Sequence, residues 1–157
     1  MGGIGLTVIA MATRTTWSAS VNFDSSSFIA EKELVEALEK RSSTLICAEE
    51  RKLFTQGGNP SGLYILRKGT ATLSMESPTG GVLMSITLFP GSLMGLPALI
   101  GNEPYTLTGT AQKGSEFGFV TREDFNGLML TEPTLAVRVL RVLAAEVRTA
   151  RHAISEF

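Results

Sequence analysis

The chain has 157 residues, 43% of them hydrophobic and 18% charged, which fits one folded domain with its own core and excludes a disordered polymer. Its formal net charge is -1 and its pI about 5.9, so no overall basic bias draws it to nucleic acid. A single cysteine, Cys47, rules out an internal disulfide and suits a reducing cytoplasm, and a single histidine, His152, leaves no imidazole cluster for a zinc or non-haem iron centre.

Residues 1–27 are small, Ser/Thr-rich and poorly periodic, and read as a flexible arm. The opening MGGIGLTVIAMA is apolar but lacks the basic residue that precedes the apolar run of a signal peptide, and Met11 is an alternative start. No stretch is long enough to span a membrane, so a cytoplasmic location is expected. Ser27 and Glu31 are spaced as an N-terminal capping pair for a helix running to about Arg41. Phe28, Ile29, Leu34 and Leu38 fall near one face of that helix, and Glu31, Lys32, Glu36 and Lys40 cover the other.

Short apolar segments separated by turn signals follow: 44–48, 51–54, 63–67, 70–75 and 82–88. Cys47 reads as a small core residue of the first. Phe89-Pro90-Gly91 is a turn, Gly95-Leu96-Pro97 opens a single-turn helix, and Gly101-Asn102 ends it. Tyr105, Leu107 and Gly109 then alternate with Thr106, Thr108 and Thr110 as in a half-buried strand. A strand, a turn, a helix with free amides and a returning strand enclose a small anion-binding pocket. A last strand, 115–120, leads to a helix that starts at Thr121 with acidic residues in its first turn, Phe125, Leu128 and Met129 facing inward. Pro133 begins a long final helix. Ala136, Leu140, Leu143, Val147, Ala150 and Ile154 form a heptad seam on it, with Leu135, Val139 and Val142 as a second apolar stripe. Both stripes in one core, or one on the core and one on a partner, are consistent with that pattern. Arg138, Arg141, Arg148 and Arg151, interspersed with Glu146 and Glu156, read as a solvated helix face.

Two motifs carry a family resemblance. The stretch Phe89–Ala111 resembles the phosphate-binding cassette of the cyclic-nucleotide-binding domain, the sensor module of catabolite-activator-type and FNR-type bacterial regulators. Leu53-Phe54-x-x-Gly57, a loop, and Leu63-Tyr64-Ile65-Leu66-x-x-Gly69 resemble the same family a second time. The family cassette reads Phe/Ile-Gly-Glu, a short helix, then Arg-Ser/Thr-Ala; its glutamate holds the ribose 2′-hydroxyl and its arginine the cyclic phosphate. Gly95 and Thr106 match the glycine and the Ser/Thr, but Leu96 stands for the glutamate and Tyr105 for the arginine.

The resemblance implies a mainly β fold with flanking helices: a jelly-roll-like antiparallel barrel (a double-stranded β-helix) over about 44–120, with C-terminal helices over about 121–155. It implies a candidate ligand pocket of Gly95, Leu96, Ala98, Tyr105 and Thr106, and a homodimer through the last helix. No helix-turn-helix follows that helix, so direct DNA binding is not expected. Burying a phosphate without a cation is costly, and cyclic AMP binding in the family manner is not expected. Arg67, Lys68 and Lys113 are the candidate substitute cations. Three occupants of the pocket stay open: a nucleotide-like ligand, a more apolar ligand, or the chain's own side chains, marked by Tyr105 packing on Leu96. Glu103 is the lone carboxylate of the cassette loop, and no Ser-His-Asp or Cys-His arrangement is present. A non-enzymatic regulatory module with no cofactor or metal is therefore expected, the alternative being a scaffold with a vestigial pocket.

Overall fold

A computed structural model describes residues 3–11 and 16–155, with side chains for 25–151. The strands are β1 (Gly3–Met11), β2 (Thr16–Asp24), β3 (Ser43–Cys47), β4 (Arg51–Phe54), β5 (Gly62–Lys68), β6 (Ala71–Glu76), β7 (Val82–Leu88), β8 (Leu93–Met94), β9 (Thr108–Ala111) and β10 (Ser115–Thr121). The helices are α1 (Lys32–Glu39), α2 (Leu96–Gly101), α3 (Arg122–Thr131) and α4 (Pro133–Ser155), and a 3-10 turn covers Ser25–Phe28. One sheet runs β2-β1-β7-β6-β9-β4 and the other β3-β10-β5-β8. All their described pairings are antiparallel. This is the expected jelly-roll arrangement with flanking helices, its two sheets facing each other rather than closing completely.

The core has two layers, and the apolar periodicity of β5 shows why. Leu66 points between the sheets, where it meets Phe54, Leu73, Ile86, Leu88 and Phe117. Leu63 and Ile65 point the other way and are covered by α1 (Leu34, Leu38), α2 (Leu96, Leu99), α3 (Phe125, Leu128) and α4 (Leu135, Val139, Val142). A strand buried on both faces needs a continuous apolar run, and Leu63-Tyr64-Ile65-Leu66 provides it. Phe125 and Leu128 pack inward as the sequence suggests, with Thr121 capping α3 by accepting a hydrogen bond from the Asp124 amide at 3.1 Å.

Three expectations change. The stretch read as a flexible arm contains β1 and β2, paired over their whole length, and β1 joins the edge of β7 through Thr7 and Val8. The helix read from Ser27 begins only at Lys32, because Ile29 makes a β-bridge with Ser92 and the Ala30 amide bonds the Gly91 carbonyl at 3.2 Å. The extended backbone at Ile29 separates the 3-10 turn from α1, so Ser27 does not cap α1, whose N-cap position is Glu31. The strand read from Tyr105 begins at Thr108. Tyr105 is held instead by the glycine loop: its amide bonds the Gly58 carbonyl at 2.9 Å, and the Gly57 amide bonds the Tyr105 carbonyl at 2.7 Å.

Candidate ligand pocket

Tyr105 stands at the family's arginine position and is bound into the protein itself. Its ring stacks on Phe54, with centroids 4.2 Å apart and planes 18° from parallel. Phe54 reaches that position because residue 109 is glycine: a Cβ there would lie 2.5 Å from the Phe54 ring. The Tyr105 hydroxyl accepts from the Ser61 amide at 3.4 Å and donates to the Gly62 carbonyl at 3.5 Å. Gly95 turns into α2 with φ +92°, a left-handed conformation suited to glycine, and Asn102 ends the helix at φ +52°.

Beside Tyr105 lies a cavity of about 50 Å³. Gly95, Pro97, Ala98, Tyr105 and Thr106 bound it from the cassette side, with Phe28, Leu73 and Leu107, and Glu146 of α4 completes its wall. Four of the five residues expected at the pocket are therefore brought together, and Leu96 is not. It is fully buried with Leu63, Leu93 and the inner faces of the helices. Tyr105 stacks on Phe54 and not on Leu96, the contact that would mark a pocket filled by the chain's own side chains, because the left-handed turn at Gly95 sends Leu96 into the helical layer.

Glu146 is the residue that sequence reasoning placed wrongly. Its Oε2 is buried without a hydrogen-bond partner, and burial pushes its carboxyl up to about 8. The signal was present: 135, 139, 142 and 146 continue one heptad stripe, so Glu146 follows Val142 on the inner face of α4. Tyr105 is the only other titratable residue lining the cavity among the described residues. The 3-10 turn, β2, α1 and α3 pack against α4, and the side chains of β2 lie outside the described residues. Of the acids near that face, Glu31 and Glu33 bond Arg138, and Glu31 also bonds Arg141 at 3.1 Å. The Arg141 hydrogen bond leads in lowering the Glu31 carboxyl, burial opposes it, and the charge of Arg138 adds to the lowering.

The seam on α4 is rotated from its sequence reading. Leu140 and Val147 are exposed, at 60% and 50%, but they share their outer face with Val137 and Ala144. Leu143 packs on the domain's own core, Ala136 is half-buried and Ala150 is exposed. The side chain of Ile154 lies outside the described residues, as do those of His152 and Glu156. The drift follows from helix geometry, since burial of Leu135, Val139 and Val142 leaves the 137-140-144-147 row facing out.

None of the candidate substitute cations lines the cavity. Arg67 is engaged with Glu39 and Glu116, at 2.8 and 3.3 Å, while Lys68 and Lys113 are exposed, as is Glu103. Cys47 is a buried free thiol in the core between the sheets. Among the described residues no group of three or more His, Cys, Asp or Glu side chains is placed to hold a metal, and no helix is long and apolar enough to cross a membrane.

The family model for the cyclic nucleotide-binding domain matches residues 47–132, more than half of the chain, including the whole cassette. The chain belongs to that family. Its fold is similar to the catabolite activator protein of Thermus thermophilus, at 22% identity and a TM-score of 0.70 over 80% of this chain and 59% of that one. It is also similar to the N-terminal domain of a transcriptional regulator from Streptomyces coelicolor (27% identity, TM-score 0.61, 79% of this chain and 87% of that one). A cyclic nucleotide-binding domain from Methylobacillus flagellatus matches at 20% identity and TM-score 0.66, over 81% and 72% of the two chains. The chain thus spans about three fifths of the Thermus protein. No curated protein sequence matches it significantly.

Proposed function

We propose that this cyclic nucleotide-binding domain is a non-catalytic, ligand-sensing regulatory module whose pocket does not hold a cyclic phosphate by the family's charge pairing. The observation that carries this reading is the cavity lining, which has a tyrosine at the arginine position and, among the described residues, a carboxyl as its only strongly acidic or basic group. A phosphate buried there would lack a cation and would face Glu146, both unfavourable in a low-dielectric site. Tyr105 would also have to leave Phe54 and its two backbone partners to admit one.

The output element is α4. It carries Glu146 in the cavity wall and, on its opposite face, the exposed row Val137, Leu140, Ala144 and Val147. A second copy of the chain packing on that row makes a homodimer, and occupancy of the pocket shifts α4 and hence the pairing. Arg138 and Arg141 are held by Glu31 and Glu33, so direct contact with DNA is not part of the role of these residues. The free buried thiol of Cys47 suits a reducing cytoplasm.

A scaffold with a vestigial pocket is the second reading, favoured by the cavity volume. About 50 Å³ is far below the ~300 Å³ or more of a typical small-molecule site. Thermal melting with cyclic AMP, cyclic GMP and a panel of non-phosphorylated metabolites separates the two. A ligand at 100 times its Kd stabilises by about 2.7 kcal/mol. The sensor reading expects a saturable shift with a non-phosphate compound and none with cyclic AMP. A cyclic AMP shift overturns the claim about the phosphate, and a flat panel favours the scaffold.

A further inference from the structure

We propose that the cavity takes the ammonium headgroup of a small organic amine, with Glu146 as its anchor; the inference rests on the sensor reading above and names the ligand class. Glu146 Oε2 is buried, faces no hydrogen-bond donor and sits in the cavity wall. The position continues the apolar stripe of Leu135, Val139 and Val142. A buried polar atom without a partner is unfavourable in the empty protein and becomes favourable when a ligand supplies the missing donor.

The rest of the lining selects among donors. Phe28 and Tyr105 are aromatic, and aromatic rings with a carboxylate suit an alkylammonium, through cation–π attraction and a charge-assisted hydrogen bond. Thr106, in the same wall, is exposed and offers a hydroxyl acceptor at the rim. Ser27, next in sequence to Phe28 on the turn packed against α4, has a second buried oxygen without a partner. A volume of about 50 Å³ holds a compact headgroup of a few atoms, leaving the remainder of the ligand outside.

Pairing with an ammonium requires the ionised carboxylate, whereas burial keeps the carboxyl of the empty cavity protonated up to about pH 8. Binding therefore converts a neutral acid and a cation into an ion pair and releases one proton. Affinity rises with pH up to about 8, by as much as tenfold per unit, and levels off above it.

The test is an NMR titration of the full chain with ethylammonium chloride at pH 7.0 and 8.5. It follows the Glu146 carboxyl carbon and the Gly95 and Thr106 amides, with sodium chloride, 1-propanol, inorganic phosphate and cyclic AMP as parallel probes. Saturable shifts with ethylammonium alone are expected, tighter at pH 8.5, together with a fall in the Glu146 titration midpoint. Glu146→Gln, nearly isosteric and checked for folding by its melting curve, should weaken the response at least tenfold. Glu146→Asp, which keeps the charge but shortens the reach, should weaken it less. An absent ethylammonium response, or one unchanged in Glu146→Gln, overturns the inference. If cyclic AMP then binds saturably, the amine inference fails while the protein remains a sensor. Silence with every probe, cyclic AMP included, removes the sensor reading as well.

Discussion

Glu39 and Glu146 are both half-sheltered helix carboxyls, and the fold treats them oppositely. Glu39, at the end of α1, receives hydrogen bonds from Arg67 Nη2 at 2.8 Å, Arg67 Nε at 2.9 Å and the Ser42 hydroxyl at 2.7 Å. Burial pushes its carboxyl up, but the bonds from Arg67 and Ser42 outweigh that and hold it below the usual range. Arg67 also reaches Thr44 and Glu116, so one guanidinium ties α1 to β3, β5 and β10. Glu146 has no such partner, and burial acts on it unopposed. The chain places its cation where a helix must be fastened to a sheet. It leaves a carboxyl unpaired where there is a cavity.

Removing the cation should give the largest effect. Arg67→Ala leaves Glu39 and Glu116 without their partner and should cost about 2–3 kcal/mol, read from urea unfolding. Because Glu39 is depressed in the folded state, its contribution is present above the unfolded carboxylate value near 4.5 and is lost as pH falls through the lower folded value. The variant should therefore lose less stability than the parent between neutral and acid pH. An equal acid loss in both would mean that the pair does not govern Glu39.

Glu146→Gln should act with the opposite sign. A carboxyl raised to about 8 contributes most below the unfolded value of 4.5, and the contribution is lost as pH rises toward 8. Parent and variant should match in mild acid. Above pH 8 the variant should be more stable by on the order of 1–2 kcal/mol, seen as a higher Tm. A variant that is less stable at pH 9 would show that Glu146 has a favourable partner.

The smallest effect on stability belongs to the outer face of α4. Replacing Leu140 and Val147 together with glutamate should change stability by no more than about 0.5 kcal/mol, because surface substitutions away from structural features rarely do more. If α4 forms the dimer, the same variant should sediment as a monomer where the parent sediments as a dimer. Unfolding of the variant would instead place those residues in the domain's own core.

Much of this architecture was legible residue by residue. The apolar runs at 63–66 and 82–88, the glycine turns and Pro133 each report a local requirement of the backbone, so β3 to β7, β10 and the last helix fall close to where the sequence puts them. The cassette was legible through Gly95 and Thr106, and its altered chemistry through Leu96 and Tyr105. Helix α1 was misplaced at its start because its beginning depends on Ser92, more than sixty residues away, which bridges Ile29. Tyr105 was read as a strand residue because alternation carries no information about the glycine loop that binds it.

The sequence by itself determined the family and the absence of the usual ligand groups, since both are carried by the motifs at 53–69 and 89–111. Tertiary structure decided where the altered groups point. A one-residue rotation of α4 exchanged Leu143 for Val137 and Ala144 on the open face, and the turn at Gly95 removed Leu96 from the cavity. The same packing carried Glu146 out of an apparently solvated row and into the pocket wall. A charged residue on an amphipathic helix reads as solvent-facing until the packing of its neighbours is known, and here Leu135, Val139 and Val142 turned it inward.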